Sequence, residues 1–317
     1  MSRFRLIALV LAAQLFVPSA GAWNFVTHRV IAAIAYDRLT PTTRARVDAL
    51  IKRHPDYARF VKDAPADEPG RARSAFIEAA VWADQIRNDS RFYDESQRDP
   101  TPTPAIPGFP NMQRHSGWHF IDQPFSQDGT PLEPATAPNI VTGLEQVTAE
   151  LARPGRTESE QAYDLVWLIH LAGDIHAPLH CVSRFSAGQP KGDVGGNLVF
   201  VTGGNSREAI TLHKYWDDAI GTDTSPGWVA STAREIENSR AGRADDPQPL
   251  QFSPAAWAQE SLNIANKEIY SFGNDSGSLE HPLTLPPGYA ERAKTLAEAQ
   301  VVTAATRLSA FLNLRLK

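Results

Sequence analysis

Apolar side chains recur along this chain at the spacing of one helical face. Val26, Val30, Ala33 and Ile34 share a face; Val47, Leu50 and Ile51 mark a second short helix, and Phe76, Ala79, Ala80 and Ala83 a third. Ile140, Leu144, Val147 and Leu151 form a stripe at i, i+4, i+7 and i+11. Leu165, Val166, Ile169, Leu171 and Ala172 belong to a segment so nearly all-apolar that it predicts a buried helix. Tyr289 to Leu316 reads as a long amphipathic helix rich in Ala and Leu. A strand pattern occurs once, as a small hairpin: Leu198 to Val201, the turn Thr202-Gly203-Gly204-Asn205, then Ile210 to Leu212. Prolines at 100, 102, 104, 107 and 110 exclude regular helix or central strand and predict a surface loop. The expectation is a mainly α, mostly helical single domain with one small β-hairpin, without internal repeat or linker.

The first residues stand outside that pattern. Arg3 and Arg5 precede an apolar run from Leu6 to Val17, and Ala20-Gly21-Ala22 follows. That is the layout of a secretory signal peptide, residues 1–22, with an A-x-A cleavage site after Ala22. The apolar run is short for a membrane span, which needs ~20 residues. The expected mature unit is 23–317, starting at Trp23, secreted or periplasmic.

Net charge is −5, and loss of the two leader arginines makes the mature chain more acidic still. An acidic protein has no overall attraction for nucleic acid, so an anionic substrate would be captured locally, by metals or a few basic residues. Cys181 is the single cysteine. An exported chain with one cysteine has no internal disulfide, and such a thiol is ordinarily a small packed side chain.

The histidines carry the chemistry. His170, Asp174, His176 and His180 lie within eleven residues of an otherwise apolar segment. His170 and Asp174 are at i, i+4, on one helical face, and Pro178 would end or kink the helix and turn His180 toward the same site. His213 and Asp217 repeat the i, i+4 pair; Asp84 and His119 lie upstream. Burying so many polar groups without compensation is expensive. Imidazole and carboxylate suit zinc, and without a thiolate cluster an open, water-bearing catalytic site is the natural reading. His176 reads as a supporting or structural residue, and His54, His115 and His281 as ordinary ones. No G-x-S-x-G and no G-x-x-x-x-G-K-[ST] segment supports a serine hydrolase or a P-loop.

Trp23-Asn-Phe-Val-Thr-His28, the Trp-Ala-Asp84 segment, Trp118-His119-Phe120, His170-x3-Asp174-x5-His180, Gly192-Asp-Val-Gly-Gly-Asn197 and His213-x3-Asp217 occur in this order. In this the chain resembles the zinc-dependent single-strand nucleases of the mung-bean type, relatives of the zinc-dependent bacterial phospholipases C. The resemblance implies a helical phospholipase-C/nuclease-like fold around three zinc ions. One would be held by Asp84, His119, His170 and Asp174, and a second by His180, His213 and Asp217. The third would be held by Trp23, through its α-amino nitrogen and carbonyl oxygen, with His28 and Asp174. It further implies hydrolysis of single-stranded DNA and RNA to 5′-phosphorylated products, with 3′-nucleotidase activity plausible. Asp84 would also orient the nucleophile, Arg87 would contact the phosphoryl group, Phe120 would stack an unpaired base, and Asn197 would offer a polar contact beside a backbone opened by Gly195 and Gly196. The α-amino group, with a pKa of ~7.7–8.0, exists at residue 23 only after cleavage, so maturation would complete the site.

This chain departs from many eukaryotic members in lacking any possible internal disulfide, and its Asn88-Asp-Ser90 and Asn274-Asp-Ser276 sequons carry no weight in a bacterial host. A phospholipase C of the same metal architecture is the first alternative. A non-catalytic zinc-binding exported protein, with every coordination position filled by the chain, is another of a different class.

Overall fold

A computed structural model describes residues 23–204, 206–240 and 252–317. The expected leader and Asn205 of the hairpin turn lie outside the described residues. The helices are α1 (Phe25–Asp37), α2 (Pro41–Ile51), the one-turn α3 (Tyr57–Phe60), α4 (Glu68–Ala79), α5 (Trp82–Ile86), α6 (Ile140–Leu151), α7 (Glu158–Asp174), α8 (Leu212–Asp217), α9 (Pro226–Arg240), α10 (Pro254–Ile264) and α11 (Tyr289–Arg315). The strands are β1 (Pro124–Ser126), β2 (Ser183–Phe185), β3 (Phe200–Gly203), β4 (Ser206–Thr211) and β5 (Leu283–Thr284). The fold is mainly α, as the apolar periodicity predicts. No helix among the described residues is long and apolar enough to cross a membrane.

Local chemistry sets the helix starts. The Thr40 hydroxyl accepts the Thr43 N–H ahead of Pro41, and the Asp67 carboxylate accepts the Gly70 N–H. Asn139 with Thr142, and Thr157 with Glu160, form reciprocal capping boxes at α6 and α7. Each such cap contributes ~1 kcal/mol. The helix that matters most is α7: every side chain from Ala162 to Asp174 is buried. Helices α1, α2, α6 and α11 pack against it, and α1 also lies against α4 and α9. Burying each large aliphatic side chain contributes ~1.5–3 kcal/mol. That burial carries His170 and Asp174 into the interior along with their apolar neighbours. A second, smaller core gathers Phe125, Val199, Val201, Leu212, Tyr270 and Tyr289 beneath the strands.

Five expectations need correction. The Phe76–Ala83 stripe is two helices: α4 ends at Ala79 and α5 begins at Trp82. The hairpin is present as antiparallel β3 and β4, with Val201 opposite Ile210, but β5 adds to β3 in parallel. A parallel pair, β1 with β2, was not foreseen. The 100–110 segment is irregular and largely exposed, yet Phe109 is buried in the core and stacks on Trp82. Finally, Pro178 neither ends nor kinks α7, which stops at Asp174; it opens a tight 3-10 turn, Pro178–Cys181, that carries His180.

Candidate metal centre

Five pieces of chain converge at the C-terminal end of α7. His170 and Asp174 occupy its last turns, and α1 brings His28, α5 brings Asp84, and the 3-10 turn Ser116–His119 brings His119. His180 follows on its own turn, and α8 presents His213 and Asp217 one turn apart. The unforeseen β1–β2 pair explains how two of these meet. It aligns the segments leaving His119 and His180, and the Ile121 N–H donates to the His180 carbonyl at 2.7 Å. The break between α4 and α5 also has a function here. It leaves the Ala80 carbonyl to accept His170 Nδ1–H at 2.7 Å.

Asp174 is the hub. Its Oδ2 lies 2.9 Å from His170 Nε2 and 3.2 Å from His119 Nδ1, while its Oδ1 lies 3.2 Å from His28 Nε2. Asp84 Oδ1 is 3.6 Å from His119 Nδ1 and 3.8 Å from His170 Nε2. His180 and His213 stack with ring centroids 4.9 Å apart. Asp217 Oδ1 is 3.8 Å from His180 Nε2, and its Oδ2 is 3.6 Å from His213 Nε2. Among the described residues, three groups have ligand atoms close enough to share an ion: His119, His170 and Asp174; His180, His213 and Asp217; and His28, Asp84 and His170. His28 thus faces both Asp174 and the Asp84–His170 pair, stacking on His170 at 4.1 Å. All are buried or nearly so.

The donor chemistry fits cations. His170, His180 and His213 each point Nδ1 at a backbone carbonyl, those of Ala80, His119 and Gly195. A carbonyl only accepts, so each Nδ1 carries the proton and each Nε2 offers a lone pair to the centre. Both nitrogens of His28, with Asp84 Oδ1, Asp174 Oδ1 and His180 Nε2, are buried without a hydrogen bond. So many orphaned polar atoms in one place are costly, and an ion would satisfy the lone pairs among them.

Without an ion, the cluster's charges are balanced by its own side chains. Burial alone would raise the Asp174 carboxyl, but His170, His180 and His28 hold it well below the usual range. Burial alone would lower His170, yet the Asp174 and Asp84 charges raise it to about 9. Burial drives His119 down to about 4, lowers His28 and His180, and lifts Asp217 well above the carboxylate range. A divalent cation among these groups would favour the anionic carboxylates and neutral imidazoles.

The remaining residues fall into place around this centre. Trp23 is buried, and its indole N–H donates to the Gly173 carbonyl at 3.1 Å, one residue before Asp174. Asn24 caps α1 and donates to Asp218 and to the Gly221 carbonyl, tying the start of α1 to the end of α8. Arg87 Nη1 lies 3.6 Å from Asp84 Oδ1 and the side chain is mostly covered. Phe120 is 38% exposed, so it is not a core residue. Asn197 is buried and its Nδ2 donates to the Val194 carbonyl at 2.8 Å, so the amide staples its own loop. His176 donates Nδ1–H to the Ala172 carbonyl and accepts from Arg307, which fits the supporting role expected of it. His54 and His115 are buried among aromatic rings and belong to none of the three groups.

Two features went unread in the sequence. Val194 is 44% exposed and holds a left-handed φ of 53°, unusual for a β-branched residue. A hydrophobic residue beside glycines gives no hint of that. Asp193, beside it, is fully buried.

The family profile described as S1/P1 Nuclease matches residues 23–317. No curated protein matches the chain.

Proposed function

This chain belongs to the S1/P1 nuclease family and is a phosphodiester-cleaving hydrolase, and we propose that it is an exported, trinuclear-zinc endonuclease that cuts single-stranded DNA and RNA to 5′-phosphorylated products. The observation that carries this reading is Asp174: a fully buried carboxylate whose two oxygens face separate groups of histidines.

In this reading Asp84, His119, His170 and Asp174 hold one zinc, His180, His213 and Asp217 a second, and His28, Asp174 and the Trp23 α-amino and carbonyl groups a third. Bound zinc supplies a Lewis acid and water acidified to a pKa of ~7. The chain's own groups do the rest. Asp84 orients the attacking water by accepting its hydrogen bond, with Arg87 beside it to receive a phosphoryl oxygen. Phe120 offers its exposed ring as a platform for an unpaired base. Its backbone is fixed on both sides, because its carbonyl accepts the Ile140 N–H and Ile121 bonds to His180. Stacking is sequence-tolerant and needs a base outside a duplex, hence single strands. Asn197 staples the 192–197 loop through one amide N–H and would offer the rest of the amide as the polar contact. The uncleaved leader would leave residue 23 without a free amine, so export and metal assembly are coupled.

The test is an assay of the chain starting at Trp23 on single-stranded DNA, RNA and phosphatidylcholine, with a chelator and then with zinc restored. Chelator-sensitive 5′-phosphorylated fragments are expected. Lipid cleavage without nucleic-acid cleavage would overturn the substrate assignment, and zinc-loaded protein that turns over none of the three would overturn the enzyme reading itself.

A further inference from the structure

We infer that Asp193 is a positioning residue for the His180/His213/Asp217 group, acting on His213 through the single peptide unit between Gly195 and Gly196. The inference rests on reading that group as a metal site. His213 Nδ1 donates to the Gly195 carbonyl at 2.8 Å. The N–H at the other end of that same peptide, on Gly196, donates to Asp193 Oδ1 at 3.2 Å. A peptide unit is planar and rigid, so gripping its N–H fixes the direction of its C=O. The carboxylate therefore sets which way the His213 proton must point, and so where Nε2 points.

Asp193 is itself held from below. Its Oδ1 also accepts the Arg184 N–H at 2.9 Å, and its Oδ2 is 3.7 Å from Arg184 Nε. The Arg184 side chain is 1% exposed. It donates to the carbonyls of Gly273 at 2.5 Å and Asp275 at 3.1 Å, reaches the Ser276 hydroxyl at 3.2 Å, and lies 4.6 Å beneath the Tyr270 ring. The relay thus runs from the smaller core, through Arg184 and Asp193, into the peptide that orients a candidate ligand.

The loop has no slack in which to reorient that peptide. Gly195 has φ +61°, and a Cβ there would sit 2.3 Å from the Leu179 carbonyl and 3.3 Å from His213 Nδ1. Leu179 directly precedes His180, so the peptide is wedged between the two histidines of the group. Val194, in its left-handed conformation, is held by its N–H to Ser183 Oγ at 3.2 Å and by the Asn197 amide on its carbonyl. Gly195 and Gly196, with φ +61° and +79°, carry the two ends of the gripped peptide, and the left-handed Val194 immediately precedes it. Partners that orient a ligating histidine typically change metal affinity 10–100-fold when lost. Burial raises the Asp193 carboxyl, and Oδ1 accepts both N–H groups in either protonation state. An asparagine should therefore replace the aspartate far better than an alanine.

The experiment is cadmium-113 NMR on the cadmium-loaded protein, comparing wild type with Asp193→Ala and Asp193→Asn. Chelator competition gives each affinity, and ring-nitrogen NMR of wild-type His213 is recorded without metal. One cadmium resonance should shift and its site weaken 10–100-fold in Asp193→Ala, the others staying in place, with Asp193→Asn within about threefold of wild type. A folded Asp193→Ala whose cadmium spectrum and affinities match wild type would overturn the relay, as would loss in Asp193→Asn equal to that in alanine. Should Asp193→Ala not fold, the wild-type tautomer decides: protonated Nδ1 is expected, and a proton on Nε2 overturns the proposal. Absence of any cadmium resonance in wild type would instead sink the metal reading and leave the relay to the tautomer measurement.

Discussion

Gly173 lies in the last turn of α7, where a glycine costs helix stability, and the structure supplies the reason it is there. A Cβ at this position would stand 2.8 Å from His28 Nδ1 and 3.0 Å from His28 Cε1, with Ile31 Cδ1 at 3.5 Å. Ordinary contact begins near ~3.5 Å, so in Gly173→Ala the imidazole must retreat by roughly 0.5–0.7 Å, the shortfall against that contact distance. Metal–ligand bonds tolerate only about 0.2 Å. His28 would then fail as a ligand while the fold survives. The alanine gains ~1 kcal/mol of helix propensity against an overpacking cost of ~1–3 kcal/mol, a net loss that is small beside a typical stability of ~5–15 kcal/mol. Zinc per chain at buffered free zinc, measured by mass spectrometry alongside a thermal melt, should fall by one ion with little change in melting temperature. A folded variant that keeps its full zinc complement at wild-type affinity would refute the placement of His28 in the centre.

Phe120→Ala should lower kcat/KM on single-stranded oligonucleotides roughly 5–150-fold, the ~1–3 kcal/mol worth of stacking one base, while stability shifts by no more than ~0.5 kcal/mol because the ring is exposed; unchanged kinetics would remove it from the substrate surface. His54, caged by Phe60, Trp82 and Phe109, is pushed by burial from 6.5 down to about 3. It is neutral in the fold, so its stability contribution is intact above pH 6.5 and lost as pH falls toward 3, with about 2 kcal/mol gone at pH 5. Unfolding free energies from denaturant titrations at pH 8 and pH 5 should therefore differ by about that much less in His54→Phe, and equal differences would contradict the assignment. A chain carrying residues before Trp23 should bind one zinc fewer than the chain starting there; equal zinc content and activity would show that the free amine is not a ligand.

Much of the centre is legible in the sequence because helix geometry is local. The i, i+4 pairs His170/Asp174 and His213/Asp217 need only a helix, and the apolar run around the first pair announces its burial. What stays hidden is set at long range. The stripe from Phe76 to Ala83 continues at helical spacing through a break that becomes intelligible once His170 is seen bonding the Ala80 carbonyl. The β1–β2 pair is three residues long and joins segments far apart, so nothing local signals it. Phe109 sits in a proline-rich stretch that reads as surface, and its burial depends on the aromatic cluster around Trp82. Asp193 looks like an ordinary turn residue, and its role emerges only when the Gly196 N–H and the His213 ring are seen on opposite ends of one peptide.

The most direct test of the central claim is anomalous diffraction at the zinc edge from crystals of the chain beginning at Trp23. Three peaks are expected: one among Asp84, His119, His170 and Asp174, one among His180, His213 and Asp217, and one against His28, Asp174 and the Trp23 amine, each ~2.0–2.2 Å from its nitrogen and oxygen ligands. No zinc peak at the end of α7, or peaks that leave Asp174 without a metal, would contradict the account.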